Sequence, residues 1–249
     1  MEIFKGIVVI NGFKAIFVKE LDLISISDLQ LGEELYLAKE RGIFVPQIQF
    51  EEIKKELSAI FNKVEANRIL INGDIKHEFG EASEQEWREV IELVEFLRKK
   101  VEEIILVRGN HDNYLLNIAS KINLQVFDPF YLEKGYLFTH GHKRLSYPKN
   151  FHTLIIGHEE PVIVLKDGFD KIKLPALLYG KMKNDKKIIC LPAFSFLSSG
   201  TEINVVDKED LLSPILKEDV NIEELEVIGI DREIGALRFG KLKDIKIGT

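Results

Sequence analysis

The chain has 249 residues and a formal net charge of −7, which argues against a strongly basic nucleic-acid-binding protein but leaves room for a local basic patch. Its apolar fraction of 45% is ordinary for a soluble globular protein. The sequence contains no apolar run that approaches the roughly 20 residues needed to span a bilayer, so no membrane association is expected. The N-terminus lacks a signal-peptide pattern, which predicts a cytoplasmic protein.

The first half of the chain alternates strand and helix patterns. Strands are predicted over 7–10, 15–18, 21–26, 68–71 and 104–107, and helices over about 50–65 and 83–100. Asn11-Gly12 is typical of a hairpin turn between the first two strands. Ser83 and Glu86 form a capping-box pattern at the start of the second helix. This alternation predicts parallel strand pairing.

The second half, from about residue 122, has a different character. Short strands are predicted over 136–139, 153–157, 161–165, 175–179 and 187–191. Helical periodicity is weak there, which favours a second, mainly antiparallel sheet. Neither a linker-like segment nor a repeat separates the halves, so we predict one α/β domain over residues 1–249 with two stacked sheets. Cys190 lies in an apolar run, which predicts a buried structural thiol.

Polar side chains with metal-binding or proton-transferring atoms follow several of these strands. They are Asp28, Asp74, Asn110 with His111, His140, and His158. Asp28 or Asp74 alone could simply cap a helix. Five strand ends bearing such residues favour a shared site instead, because α/β proteins bind ligands at the carboxyl ends of their strands. Asn offers an amide oxygen, His ligates metals or transfers protons, and Gly109 permits the sharp turn that both need.

The order of these motifs resembles that of the calcineurin-like metallophosphoesterases. The motifs are Asp28-Leu29-Gln30, Gly73-Asp74, Gly109-Asn110-His111-Asp112, His140-Gly141 and Gly157-His158-Glu159-Glu160. Segments 28–33, 73–79 and 191–194 are similar to an archaeal branch related to SbcD-type repair nucleases and to bacterial ligase-associated phosphoesterases. The resemblance covers nearly the whole chain. It implies a four-layer α/β/β/α sandwich of two stacked mixed sheets and a metal-dependent hydrolase.

The resemblance also implies roles for individual residues. One metal would be held by Asp74, Asn110, His140 and His158, and the other by Asp28, Gln30, Asp74 and Glu160. The catalytic positions are His111, as general acid or charge stabiliser, and Asp112, which fixes the loop or orients His111. His77, His142 and Asn110 are expected to face the substrate. For His142, an exposed bystander is an equal alternative.

Two residues depart from the family pattern together. Gln30 and Glu160 stand where the family has histidines that serve the same metal. Either this site is all-oxygen and suits Mg²⁺, Mn²⁺ or Ca²⁺, or its metal binds weakly or not at all. Glu159 is an alternative ligand to Glu160. The expected cofactor is Mn²⁺ or Mg²⁺, with one strong site and a second, altered one.

The expected function is a phosphodiesterase or nuclease that acts on nucleic acid in DNA repair. Two alternatives stay open: a weakly active or non-catalytic member that binds nucleic acid or a protein, and a phosphatase of small nucleotides. Expected partners are a nucleic-acid or nucleotide phosphoester, a DNA-repair protein and, by family analogy, a second copy of the chain. Phe194, Phe196 and Leu197 are predicted to lie in the core rather than to stack on bases.

Overall fold

The computed structural model describes residues 1–167 and 170–247. Its strands are β1 (Glu2–Phe4), β2 (Ile7–Val9), β3 (Ile16–Val18), β4 (Leu23–Ile26), β5 (Arg68–Asn72), β6 (Glu103–Val107), β7 (Val126–Phe127), β8 (Tyr131–Glu133), β9 (Tyr136–Phe138), β10 (Thr153–Ile156), β11 (Pro161–Asp167), β12 (Asp170–Lys181), β13 (Lys187–Cys190), β14 (Thr201–Glu202), β15 (Glu226–Asp231) and β16 (Gly235–Lys241). Its helices are α1 (Glu33–Arg41), α2 (Gln49–Lys63), α3 (Glu84–Arg98), α4 (Leu115–Lys121) and α5 (Pro214–Glu218).

The first sheet has the strand order β1-β2-β3-β4-β5-β6-β7. Strands β4 to β7 pair in parallel, while β1 to β4 pair in antiparallel fashion. The parallel part follows from the strand–helix alternation, because α2 and α3 return the chain across the sheet. Ile26, Ile71 and Leu106 are aligned in register across β4, β5 and β6. The carboxyl ends of these strands therefore meet at one edge.

The second sheet runs β14-β11-β12-β13-β10-β9-β8, and β15 and β16 extend it from β12. Strand β10 is parallel to both β9 and β13, so the sheet is mixed. The pairs β8–β9, β11–β12, β12–β13 and β15–β16 are antiparallel. The parallel strands β9 and β10 end close together, which brings the loops after them to a common edge.

Alternating side chains of the two sheets build the layers. Leu70 and Ile105 of the first sheet pack against Phe138 and Ile189 of the second. The opposite face of the first sheet packs against the apolar stripes of α2 and α3. The outer face of the second sheet is covered by α5 and by short 3₁₀ turns. The result is the α/β/β/α order of layers that the resemblance implies.

Local signals predicted some elements well and others poorly. Helix α3 has both hydrogen bonds of the predicted Ser83–Glu86 capping box, and Cys190 is buried. Helix α1 was missed because its one buried residue is Glu34, which leaves no apolar stripe to detect. Phe194 is buried as predicted, but the prediction for Phe196 is wrong, since it is 46% exposed. Within the described residues, no helix combines the length and apolarity required to cross a membrane.

Candidate active site

The loops after β4, β5, β6, β9 and β10 converge at one edge of the sandwich. They carry the predicted residues Asp28, Asp74, Asn110, His140 and His158, respectively. Asp74, His140 and His158 each offer a ligand atom, and these atoms lie within 4.8 Å of one another. The fold thus brings together residues from distant parts of the chain into one polar cluster.

The glycines of the motifs are required by the close approach of these loops. A Cβ at Gly109 would lie 2.0 Å from Asp74 Oδ1, and one at Gly73 would lie 2.3 Å from His140 Nδ1. A Cβ at Gly157 would lie 1.8 Å from the Ser27 hydroxyl. Any side chain at these positions would displace a member of the cluster.

His140 is oriented by the backbone of the neighbouring sheet. Its Nδ1 donates to the Asn72 carbonyl at 2.9 Å. This leaves Nε2 at 3.1 Å from Asp74 Oδ2 and 3.1 Å from Asn110 Oδ1. Burial lowers the pKa of His140, but the carboxylates of Asp74 and Asp28 outweigh it and raise the pKa to about 10. The surroundings of Nε2 therefore favour a positive charge.

Asp28 supplies a further buried oxygen to the cluster. The residue is fully buried, and its Oδ2 accepts the His158 backbone N–H at 3.1 Å. Its Oδ1 has no hydrogen-bond partner among the described residues and lies 3.8 Å from His140 Nε2. A buried carboxylate oxygen without a partner is unfavourable, so a cation fits here. Burial and the charge of His140 lower the pKa of His158 to about 3.

Gln30 and Glu160 lie side by side where the second metal site is expected. Gln30 Nε2 donates to Glu160 Oε1 at 3.2 Å, and the Ser198 hydroxyl donates to Glu160 Oε2. Glu159 faces away, because its carboxylate accepts the backbone N–H groups of Leu212 and Ser213 at 3.0 and 2.7 Å. Of the two glutamates, Glu160 is therefore the one available to a metal.

Glu33 is a member of this cleft that sequence reasoning missed. It lines the cleft beside Gln30 and Glu160, and its Oε2 is buried without a partner within the described part of the chain. Burial and the Glu160 carboxylate raise the pKa of Glu33 to about 7. The one sequence signal was its position three residues after Gln30, at the first residue of a helix that the pattern did not reveal. Ser198, after the apolar 188–194 segment, gave no signal at all.

His111 is held at the mouth of the cleft by hydrogen bonds of its backbone N–H and of one ring nitrogen. Its backbone N–H donates to Asp74 Oδ1 at 2.9 Å, and its Nδ1 donates to the His77 carbonyl. The remaining nitrogen, Nε2, lies 3.9 Å from Asp74 Oδ2 in a side chain that is 16% exposed. The ring of Phe79 packs against the imidazole with 3.7 Å between centroids. Nε2 is thus directed toward the metal-binding cluster and within reach of solvent.

Asp112 lies beneath the loops and not in the cleft. Its carboxylate is fully buried and accepts four backbone N–H groups, those of Gly109, Asp74, Ile75 and Lys76. Burial and the charge of Asp74 raise the pKa of Asp112 to about 6. These bonds agree with the expected role of Asp112 in fixing the loop, since its oxygens are occupied by the backbone of the two loops.

Two further histidines lie near the cluster. His77 lines the cleft, and its Nδ1 lies 3.1 Å from Gln30 Oε1. The His142 ring is 5.4 Å from that of His140 and 6.0 Å from that of His158. Burial and His140 lower the pKa of His142 to about 4. His142 therefore packs against His140 and His158 and is half-buried, not exposed.

The cleft has a volume of about 270 Å³. Its lining comprises Gln30, Glu33, Asp74, His77, His111, His158, Glu160, Ser198, Ser199 and Leu212. Carboxylates and imidazoles dominate this set, which suits a hard or borderline divalent cation.

The sequence model of the calcineurin-like phosphoesterases matches residues 23–174. The match covers more than half of the chain and contains every cluster residue from Asp28 to Glu160. The chain belongs to the calcineurin-like phosphoesterase family. Members of this family are generally hydrolases that bind divalent metals, and the Asp74, His140 and His158 group of this member offers such a site.

Comparison with solved structures finds matches to three proteins of different kinds. The nuclease MPE of Pseudomonas putida superposes with a TM-score of 0.61 at 18% identity, covering 90% of this chain and 92% of its own. The phosphoesterase YfcE of E. coli gives a TM-score of 0.40 at 19% identity, covering 72% of this chain and 83% of its own. A single mutant of Vps29 of Entamoeba histolytica gives a TM-score of 0.37 at 14% identity, covering 87% of this chain and 97% of its own. A search of curated protein sequences finds no significant match. At 18% identity the likeness to MPE shows a shared fold alone.

Proposed function

We propose that this protein is a metal-dependent phosphodiesterase that cleaves nucleic acid. The observation that carries the proposal is the grouping of Asp74, His140 and His158 ligand atoms within 4.8 Å of one another, with His111 Nε2 3.9 Å from Asp74 Oδ2. Metal-binding residues next to a positioned proton donor are the arrangement that phosphoester hydrolysis requires. The fold shared with a nuclease supports nucleic acid as the substrate. The resemblance of segments 28–33, 73–79 and 191–194 to an SbcD-related branch supports DNA repair as the setting.

Each residue of the cluster has its own role in the proposed reaction. Bound divalent cations would polarise a phosphoryl oxygen and supply hydroxide at neutral pH. Asp74, Asn110, His140 and His158 would hold the first cation. His111 Nε2 would donate a proton to the leaving oxygen, or a hydrogen bond to the charge that develops on the phosphoryl group. Asp112 would keep Asp74 and His111 in place through the backbone of their loops.

The second cation would be held by oxygen atoms of Asp28, Gln30, Asp74 and Glu160. Such a set favours Mg²⁺ or Mn²⁺ over softer transition metals. Without imidazoles it should bind its ion more weakly than the first site does. We therefore expect metal analysis of protein purified without chelators to find one tightly held ion. Two equally tight ions would contradict an altered second site.

The experiment that tests the proposed function is hydrolysis of bis-p-nitrophenyl phosphate and of single-stranded DNA with Mg²⁺, Mn²⁺ or Ca²⁺. The His111→Ala variant should lose activity by about 100-fold or more while it still binds metal. Asp74→Ala should lose both activity and metal. Asp22→Asn, a half-buried aspartate that lies outside the cleft, is the control and should change neither. Full activity in His111→Ala would overturn the mechanism.

The hydrogen bond between Gln30 and Glu160 supports one alternative, a non-catalytic member that binds nucleic acid or a protein partner. In the family pattern both positions carry metal-binding imidazoles, whereas here the two side chains satisfy each other. The same assay separates the two functions. Oligonucleotide binding without turnover on either substrate, with any of the three metals, would favour the binding module over the enzyme. Hydrolysis of nucleotides alone would point instead to a small-molecule phosphatase.

A further inference from the structure

Phe79 is a large aromatic residue exposed at the rim of the candidate active site. Its side chain is 56% exposed, although phenylalanine is among the residues most often buried. One part of its ring packs against the His111 imidazole, with 3.7 Å between centroids and 32° between planes. The other part faces solvent beside the residue expected to lie next to the scissile phosphate.

The loop that carries Phe79 is held by buried charged side chains. Lys76 is fully buried, and its ammonium group donates to the carbonyls of Glu78 and Gly80. The Glu86 carboxylate accepts the backbone N–H groups of His77 and Glu78 at 3.1 and 2.7 Å. The Lys76 ammonium and the Glu86 carboxylate thus fix the backbone on either side of Phe79.

Two further contacts tie the same loop to the loop of His111. The His77 carbonyl accepts a hydrogen bond from His111 Nδ1, and the Phe79 carbonyl accepts one from Asn113 Nδ2 at 3.5 Å. The ring of Phe79 is therefore presented on a backbone that is already ordered. Such preorganisation reduces the entropy lost when a ligand binds.

We propose that Phe79 is a stacking platform for the nucleobase adjacent to the scissile phosphate. This inference rests on the proposed function, because it assigns the base side of the same substrate. Every nucleobase has a planar face that stacks on an aromatic ring, and loss of one such stack weakens binding by about 5- to 100-fold. Stacking on Phe79 would place the neighbouring phosphate beside His111 and would be tolerant of base sequence.

The first test compares KM values for two oligonucleotides of equal length, one with bases and one with abasic residues around the cleavage site. With Mn²⁺, Phe79→Ala should raise KM for the normal oligonucleotide by about 10-fold and leave KM for the abasic one unchanged. Phe79→Tyr keeps the aromatic face and should behave as the wild type. Phe44→Ala is the matched control, because Phe44 is 86% exposed and lies after α1 in a segment that contributes no residue to the described cleft.

A second measurement separates failure of this inference from failure of the proposed function. Anisotropy of a labelled, hydrolysis-resistant phosphorothioate oligonucleotide gives the Kd without turnover. The inference holds if Phe79→Ala weakens binding only when bases are present. It is overturned if Phe79→Ala binds both oligonucleotides with the Kd of the wild type, or if its Kd rises by the same factor for both. It is also overturned if Phe44→Ala weakens binding as much as Phe79→Ala does. Absence of hydrolysis by the wild type would instead contradict the proposed function, whatever the binding data show.

Discussion

At the residue scale, two aspartates of neighbouring loops have opposite roles. Asp74 directs its oxygens to the His111 backbone and to His140 Nε2, at 2.9 and 3.1 Å. His140 and His111 outweigh the effect of burial and hold the pKa of Asp74 below its usual value. Asp112 gives its oxygens to backbone N–H groups, and burial raises its pKa. Residue type alone therefore does not assign a role; the partners around each carboxylate do.

Substitution of Asp112 tests its positioning role. Asp112→Asn would leave one acceptor oxygen where the carboxylate serves four backbone N–H groups, and its amide would face donors. We expect the free energy of unfolding to fall by about 2–4 kcal/mol. Because His111 and Asp74 would shift, kcat should fall about 100-fold with little change in KM. Urea denaturation and steady-state kinetics measure both effects.

Asp22→Asn is the control for this prediction. Asp22 also accepts a backbone N–H, that of Asn67 at 3.2 Å, but it is only half-buried and lies outside the cleft. It should change the free energy of unfolding by less than about 0.5 kcal/mol and leave kcat unaltered. Equal effects of the two substitutions would show that burial and the shared loops give Asp112 no special role.

The proposed second metal site gives another prediction at this scale. Restoring both imidazoles through Gln30→His with Glu160→His should raise Mn²⁺-dependent phosphodiesterase activity, because imidazole binds this metal class more tightly than a neutral amide does. Gln47→His with Glu92→His adds two histidines at exposed positions of the same residue types and should have no effect. If the first variant folds and binds two metals without a gain in activity, the missing imidazoles are not what limits the rate.

At the element scale, polar side chains between α1, α2 and α3 support the loop of Asp28. The Gln49 side chain donates to the carbonyls of Leu29 and Gln30 at 2.8 and 2.9 Å. The Glu34 carboxylate accepts the Gln49 backbone N–H at 2.9 Å. Because Gln49 is fully buried, these bonds form away from water and orient the first metal-binding loop.

Glu89 of α3 belongs to the same layer and provides a pH-dependent prediction. It is 5% exposed, and its Oε2 has no hydrogen-bond partner in the described chain. Burial raises its pKa to about 7 from a usual value of 4.5. Below pH 4.5 the carboxyl is protonated in both states and lowers stability little. As pH rises through 7, the Glu89 carboxyl ionises in the folded state as well. The full free-energy cost of burying its charge is therefore present above pH 7.

Replacing Glu89 with Gln removes this charge and keeps an acceptor for the bond from Gln85. Glu89→Gln should therefore stabilise the protein by about 1–2 kcal/mol at pH 8 and by much less at pH 5. Denaturant unfolding at the two pH values measures the difference. Glu95→Gln, an exposed position on the same helix, should show no such pH dependence. A gain of equal size at both pH values would refute the buried-charge explanation.

At the scale of the whole molecule, the two sheets are joined at the cluster. Asp28 and Asp74 come from the first sheet, and His140 and His158 come from the second. A cation bound among them would connect both halves of the sandwich and would offset the repulsion among buried carboxylates. Metal binding should therefore stabilise the folded state of the entire chain, and not only the local loops.

Thermal unfolding with and without Mn²⁺ tests this coupling. At about 100 times the Kd, ligand binding adds about 2.7 kcal/mol, which for a chain of this size raises Tm by about 5 °C or more. EDTA should reverse the shift. Asp74→Asn should remove the shift, while Asp22→Asn should retain it. A Tm that does not respond to metal in the wild type would contradict a divalent-metal site between the sheets.

Structural features that depend on local interactions were predicted more accurately than features that depend on contacts between distant residues. The helix that begins after Ser83 and the strands before Asp74 and Asn110 were predicted correctly, because caps and apolar runs act over a few residues. Helices and strands without a regular apolar pattern, such as α1 with its single buried Glu34, were missed. The exposure of Phe196 was also missed, since an aromatic residue next to an apolar strand gives no local sign of where the chain leaves the core.

The amino-acid sequence by itself determined the family, the order of the motifs and the residue types available for metal binding, because these are properties of short segments. Only the tertiary structure decided that Glu160 and not Glu159 faces the cleft, that Glu33 joins it, and which backbone N–H groups Asp112 holds. Each of these outcomes depends on contacts between loops far apart in the chain. The physical reason is that the orientation and the role of a carboxylate depend on its hydrogen-bond partners and its burial. Both are set by how the two sheets pack.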